Sequence, residues 1–273
     1  MKLVRFGESK NERPGLIDPE GGLRDLSDYF SDFSHEAVSL NSLEKIRNID
    51  YSLLPKIPRS VRLGSCLADA PNFYCVGLNY AKHAKETGAE APIEPIIFSK
   101  ATSCISGPYD DVVIPKNSKK TDWEVELGVV IGKKCSHVSK EKALSVISGY
   151  CVINDVSERS FQFDRGGQWI KGKSAPTFGP IGPFLVTTDE VSDPQNLNLS
   201  LKLNGTTVQS SNTSDMIFPV SEIIAHLSQF MELRAGDIIA TGTPEGVGIG
   251  MKPPTFLKSG DYMEVEIENL GSQ

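Results

Sequence analysis

The segment Thr121–Lys133, reading Thr-Asp-Trp-Glu-Val-Glu-Leu-Gly-Val-Val-Ile-Gly-Lys, limits how this chain can fold more than any other. It is apolar, rich in β-branched residues and about one strand long, and it stops at a Gly-Lys turn. Side chains alternate along a strand, so Glu124 and Glu126 point to one face. Trp123, Val125, Leu127 and Val129 take the other face and the core. Two like charges held close together among apolar neighbours repel each other and lose hydration. They call for a positive group between them, and a divalent cation is the simplest. A solvated strand face would also account for Glu-x-Glu taken alone, so the rest of the chain has to decide.

With 273 residues there is room for one large domain with an appendage, or for two domains. Apolar residues make up 39% and charged residues 23%, the balance of a soluble globular protein. The net charge is −7 and no basic run carries interleaved aromatics, which argues against a general binder of nucleic acid or anionic membrane. No apolar run approaches a membrane span, and Met1–Gly7 lacks the apolar core of a signal peptide. Cys66, Cys75, Cys104, Cys135 and Cys151 are odd in number and scattered, with no Cys-x-x-Cys pair. Reduced thiols in a cytoplasmic protein are expected, with Cys75 and Cys151 in the core.

Residues 1–68 read as a small N-terminal α/β module. Leu3–Phe6 and Pro14–Asp18 are strand-like, Ser31–Leu54 has room for short helices, and Leu54–Pro58 reads as a linker. Residues 69–273 form the larger unit. Its expected strands are Phe73–Gly77, Ile96–Phe98, Val112–Pro115, Tyr150–Ile153, Asp237–Thr241 and Tyr262–Ile267. A hairpin turns at Asn204-Gly205, and Val220–Met231 is an amphipathic helix carrying His226 on its packed side. Gly166–Pro183 is too rich in Gly, Pro and Lys for regular structure and reads as a functional loop.

Three further features carry chemistry. On the helix Tyr80–Thr87, His83 and Glu86 are i and i+3 and share a face; a carboxylate beside a histidine orients it and raises its basicity. An exposed helix with an incidental pairing is the alternative. Asp155 ends a strand and would complete an all-oxygen set suited to Mg²⁺, Mn²⁺ or Ca²⁺. It could instead cap a helix over Val156–Phe163. The glycines of Gly242–Gly250 suggest a dinucleotide loop, but Met251-Lys252-Pro253-Pro254 allows no helix after it, so NAD binding is rejected.

Taken together, Gly77-Leu78-Asn79-Tyr80 with His83 and Glu86, Glu124-x-Glu126, Asn154-Asp155, Arg159 with Gln162, Lys173-Ser174, and Thr241-Gly242-Thr243-Pro244 with Gly246-Val247-Gly248 resemble the fumarylacetoacetate hydrolase family. Order and spacing hold from about residue 70 to the C-terminus. The opening Glu12–Asp18 looks like the branch acting on small diketo or keto acids. The resemblance implies a β-rich, mixed α/β fold: a rolled mixed sheet with outer helices, working as a homodimer. It further implies Mg²⁺ or Mn²⁺ (Ca²⁺ as another option) on Glu124, Glu126 and Asp155, with His83, Glu86 and Lys173 catalytic. Tyr80, Arg159, Gln162 and Thr243 would contact a 2-oxo or 2,4-diketo acid, with amides of the Gly-rich loop holding its carboxylate. The segment bearing His83 would be a lid.

The implied reaction is hydrolysis of the C3–C4 bond of an acylpyruvate or 2,4-diketo-3-deoxy sugar acid to pyruvate and a carboxylic acid. Alternatives are isomerisation or decarboxylation of a related diene-dioate or oxaloacetate-like acid, a ureidoglycolate-type lyase, and a catalytically silent metal-binding relative. The stretch Gly166–Gly172, with Trp169, does not align across the family, which leaves the specificity contacts there open.

Overall fold

A computed structural model describes residues 1–273. The opening residues form β1 (Lys2–Phe6), β2 (Arg13–Ile17), β3 (Leu23–Asp25), α1 (Leu40–Arg47) and β4 (Lys56–Ile57). The Leu54–Pro58 stretch is therefore not a free linker, because Lys56 and Ile57 pair with Arg24 and Leu23 as the sheet's edge strand. There follow β5 (Phe73–Gly77), α2 (Ala81–Glu86), β6 (Ile96–Lys100), β7 (Ile105–Ser106), β8 (Thr121–Asp122), β9 (Val125–Ile131), α3 (Lys140–Ala143) and β10 (Ile147–Asn154). No strand forms at Val112–Pro115.

The remaining elements are β11 (Ser157–Glu158), α4 (Arg159–Phe163), α5 (Ile170–Lys173), β12 (Gly179–Thr187), β13 (Asn198–Leu203), β14 (Thr206–Asn212), α6 (Val220–Phe230), β15 (Ile238–Ala240), β16 (Met263–Ile267) and β17 (Gly271–Ser272). Gly166–Pro183 is thus more regular than its composition suggests: it holds a helical turn and the start of a long strand. β12 carries a cis Gly182–Pro183 bond, and its ladder with β10 shifts register between Tyr150 and Val152. The Asn204-Gly205 turn forms as expected, with φ of 51° and 79°.

The main sheet has eleven strands in the order β4-β3-β2-β1-β12-β10-β9-β15-β5-β6, with β7 on β12. Most pairs are antiparallel; β15–β5 and β12–β7 are parallel. Residues 1–68 and the remainder share this sheet through the β1–β12 ladder. They also share one core, where Leu3 and Phe33 join Phe73 and Ile153. The opposite face packs on a four-stranded sheet, β14-β13-β16-β17, and on α6. Trp123, Val125, Leu127 and Val129 all lie in that second core, the side their alternation predicts. The result is the β-rich, mixed α/β class with outer helices read from the sequence.

One detail shapes the site. Thr121–Ile131 is not one continuous strand: Trp123 and Glu124 fall in a break between β8 and β9. The Asn154 side chain accepts the Glu124 N–H at 3.1 Å, and the Asp155 N–H donates to the Glu124 carbonyl at 2.9 Å. Asn154-Asp155 therefore takes over the ladder's hydrogen bonds where the ladder opens, which brings Asp155 alongside Glu124.

Candidate active site

Glu124, Glu126 and Asp155 come together as expected, each offering an oxygen within 4.8 Å of the others. Their relative exposures of 4%, 2% and 0% exclude the solvated-face alternative. Asp155 caps no helix: α4 starts at Arg159 and its N-cap is Glu158, which accepts the Ser160 N–H. Asp155 lies outside α4, so it shares no helical face with Arg159 and Gln162.

The positive groups expected between these carboxylates are present in the chain itself. Lys173 Nζ donates to Glu124 Oε2 at 2.6 Å and to Asp155 Oδ2 at 2.7 Å. Arg159 pairs through Nη1 with Glu124 at 2.7 Å and through Nε with Asp122 at 2.8 Å. Lys100, which the sequence reading passed over as the residue after a strand, is buried and donates to Asp155 Oδ1 at 2.5 Å. Its signal was the period of β6, which puts Lys100 on the same strand face as the cleft-lining Phe98.

Burial pushes the Glu124 carboxyl upward, but Lys173 and Arg159 beside it outweigh that and bring it down to about 2. Burial would discharge Lys173, yet Asp155 and Glu124 hold its ammonium well above the ordinary lysine range. Glu126 is the uncompensated member. It accepts the Gly242 N–H at 2.7 Å and pairs with no side-chain cation. Burial, then repulsion from Asp155 and Glu124, drives its carboxyl well above the ordinary range. A divalent cation among these hard oxygen donors would relieve that repulsion, so the residues fit such an ion.

A cleft of about 360 Å³ opens over this cluster, lined by Glu124, Glu126, Arg159, Gln162, Lys173, His83, Glu86 and Thr243 among others. His83 is buried, so the exposed-helix alternative fails. Its Nδ1 lies 3.5 Å from Glu86 Oε2, too long for a hydrogen bond, and has no other partner. Both Glu86 oxygens accept the Gly246 N–H, at 3.0 and 3.1 Å, which ties α2 to the Gly-rich loop. A Cβ at Gly250 would lie 2.3 Å from the Glu86 carboxyl carbon, so only glycine lets the loop wrap this carboxylate.

Two expectations need correction. Tyr80 does not reach the cleft: its ring is fully buried in the core and its hydroxyl has no partner. The Gly-rich loop is an anion cradle, but its amides are already occupied by the protein's own carboxylates. Gly242 N–H serves Glu126, Gly246 serves Glu86, and Gly248 and Ile249 serve Asp122 at 2.6 and 3.0 Å. Thr243 does line the cleft, yet its hydroxyl donates to the Val125 carbonyl and accepts from buried Gln209. The residues the sequence reading missed, Lys100, Asp122 and Gln209, act through those it found.

A larger cavity, about 710 Å³, lies away from this cluster beside Tyr109 and Tyr262. Asp110, Asp111 and Asp261 line it but do not converge as the triad does, and it holds no histidine, so chemistry belongs to the smaller cleft.

The family model described as fumarylacetoacetate (FAA) hydrolase, C-terminal, matches residues 72–273. A Burkholderia lata protein is 52% identical over 274 residues, spanning 100% of this chain and 97% of its own length. Among solved structures, the fumarylacetoacetate hydrolase of Exiguobacterium antarcticum superposes with a TM-score of 0.89 at 36% identity, covering 100% of this chain and 97% of its own. Maleylpyruvate hydrolase from Sphingobium sp. SYK-6 gives 0.83 at 28%, and 5-carboxymethyl-2-hydroxymuconate delta-isomerase from Mycobacterium smegmatis 0.80 at 30%, both with the same coverages.

Proposed function

The chain belongs to the fumarylacetoacetate hydrolase family, and we propose that within it the protein hydrolyses the C3–C4 bond of a 2,4-diketo acid to pyruvate and a carboxylic acid. One observation carries the reading: buried His83, with half-buried Glu86 beside it, lines the same cleft as Glu124 and Glu126 of the carboxylate triad. Moving a proton on an enol acid needs no water-activating pair, whereas hydrolysis does.

Glu124, Glu126 and Asp155 would hold Mg²⁺ or Mn²⁺, with Ca²⁺ as another option. Bound there, the ion supplies Lewis-acid polarisation of a 2-oxo acid. The other steps belong to the chain. Arg159 Nη2, buried and unpaired, is the donor left for the substrate's carboxylate. With Nδ1 turned to Glu86, His83 has Nε2 available to take a proton from water, whose hydroxyl adds to C4. As the C3–C4 bond breaks, its electron pair passes to C3 and the 2-oxygen as an enolate. The imidazolium then returns the proton to C3, giving pyruvate. Lys173, held as an ammonium, stabilises the developing negative charge without donating its proton. α2, anchored to the loop through the Glu86–Gly246 hydrogen bonds and the exposed Lys82–Glu245 ion pair, would close over bound substrate.

The test is pyruvate release from a panel of 2,4-diketo acids, in Mg²⁺ and in EDTA, for the wild type and His83→Ala. Release that needs the cation and is lost in His83→Ala supports the proposal. Enol–keto conversion or CO₂ evolution without pyruvate would overturn it and favour the second reading, isomerisation or decarboxylation, which the likeness to a solved isomerase keeps in view. We further propose a cytoplasmic homodimer, to be checked by light scattering; no helix is long and apolar enough to cross a membrane.

A further inference from the structure

The two ends of the cleft have opposite chemistry. At the head, four buried carboxylates, Asp122, Glu124, Glu126 and Asp155, face three buried cations, Lys100, Arg159 and Lys173. With all four carboxylates ionised, as metal binding requires, four negative charges against three positive leave one negative. A divalent cation on the triad turns that into one positive, which balances a single substrate carboxylate. The donor inventory agrees: every nitrogen of these cations is paired with protein except Arg159 Nη2, which is buried with no partner.

The other end is aromatic. Trp169 lies against Gly77, where a Cβ would come within 2.6 Å of the indole ring, so the glycine makes the space the ring occupies. Its indole meets Phe98 edge-on with centroids 5.2 Å apart and Phe163 at 6.2 Å. All three rings line the cleft, whose only lysine and arginine are Lys173 and Arg159 at the head. Trp169 and Lys173 are i and i+4 in the α5 turn, so one element carries both the ring and the head-group ammonium.

We infer that the substrate is a monoanion whose tail beyond C4 is uncharged and lies on the Trp169–Phe98–Phe163 wall, with Trp169 the specificity-determining residue. The inference rests on the 2,4-diketo acid reading for the placement of the head group. The Lys173 ammonium stands 5.1 Å from the Phe98 centroid but is held by Glu124 and Asp155, so a second carboxylate on the tail would lose its hydration against three rings with no free counter-charge to replace it. An uncharged tail instead buries its carbon surface there.

The test uses two 2-oxo acids of equal length that lack a 4-keto group and so cannot be cleaved: 2-oxopentanoate, one carboxylate, and 2-oxoglutarate, two. The chain has two tryptophans, and Trp123 is fully buried outside the cleft lining, so Trp169 fluorescence reports occupancy. In Mg²⁺ the wild type is expected to bind 2-oxopentanoate at least tenfold more tightly. By calorimetry, Trp169→Ala should lose several-fold in 2-oxopentanoate affinity and leave 2-oxoglutarate unmoved. Phe163→Arg, a change at a half-exposed rim position, should tighten 2-oxoglutarate several-fold. The inference is overturned if 2-oxopentanoate does not bind, if 2-oxoglutarate binds as tightly, or if Trp169→Ala weakens both acids equally. A monoanion preference without pyruvate release from any diketo acid would sink the proposed reaction and leave this inference standing.

Discussion

Lys173→Met isolates what the buried ammonium does for the fold from what it does for the reaction. In the wild type, Lys173 Nζ sits 2.6 Å from Glu124 and 2.7 Å from Asp155, fully buried. Methionine fills much of the same volume but leaves both carboxylates short of a partner. Removing one side of a buried ion pair costs about 3–5 kcal/mol when the remaining charge is left unpaired; Glu124 keeps Arg159 and Asp155 keeps Lys100, which places this loss near the lower end. In a chain of this size each kcal/mol shifts the melting temperature by roughly 2–4 °C, so a fall on the order of 10 °C in EDTA is expected.

Mg²⁺ should close much of that gap. A cation at a hundred times its Kd adds about 2.7 kcal/mol to any protein that binds it only when folded. The variant's site carries one more negative charge than the wild type and binds it more tightly. The pH dependence has a definite sign. Lys173 helps hold the Glu124 carboxyl down at about 2, so the stability this pairing adds is present above the unfolded glutamate pKa and is lost as pH falls through the folded one. The gap in EDTA is therefore smaller at low pH than at neutral pH. Thermal melts in EDTA and in Mg²⁺ at two pH values test all three statements. An unchanged melting temperature in EDTA, or a gap indifferent to Mg²⁺, would refute the view that Lys173 and the cation compensate the same charges.

Glu86→Gln keeps an oxygen for the Gly246 amide but removes the charge beside His83. Steady-state kinetics should show kcat lowered by roughly ten- to a hundredfold with the melting temperature nearly unchanged. Because the Glu126 carboxyl is raised by burial and by its carboxylate neighbours, the metal-free site holds a proton there. Calorimetry in buffers of different ionisation enthalpy should find proton release on Mg²⁺ binding, and affinity that climbs with pH beyond the ordinary glutamate range. Burial pushes the Cys104 thiol up to about 11 and that of Cys75 well above the ordinary range, and Cys151 is raised likewise, first by Cys66 beside it and then by burial. A thiol reagent at pH 8 should leave these three untouched in native protein and modify them in urea.

Much of this was legible from residue order. Alternation alone placed Trp123, Val125, Leu127 and Val129 in one core and Glu124 and Glu126 away from it, because a strand's period of two is fixed by backbone geometry. Helix spacing paired His83 with Glu86. What failed, failed for tertiary reasons. Glycine and proline marked Gly166–Pro183 as irregular, yet pairing with β10 and β1 makes Gly179–Thr187 a strand. The Gly-rich loop was legible as an anion cradle, but not that Asp122, Glu86 and Glu126, distant in sequence, would be its anions. Tyr80, adjacent to the chemistry in sequence, has its ring turned into the core.

The sequence by itself determined the kinds of group available: hard oxygen ligands, one histidine–carboxylate pair, and apolar strands with one face turned to a core. These follow from side-chain chemistry and short-range periodicity, which act along the chain. Only the tertiary structure decided the charge balance. Lys100, Arg159 and Lys173 reach the carboxylates across sequence separations of up to 55 residues. Whether a buried charge is compensated depends on distance in space, to which sequence spacing is blind.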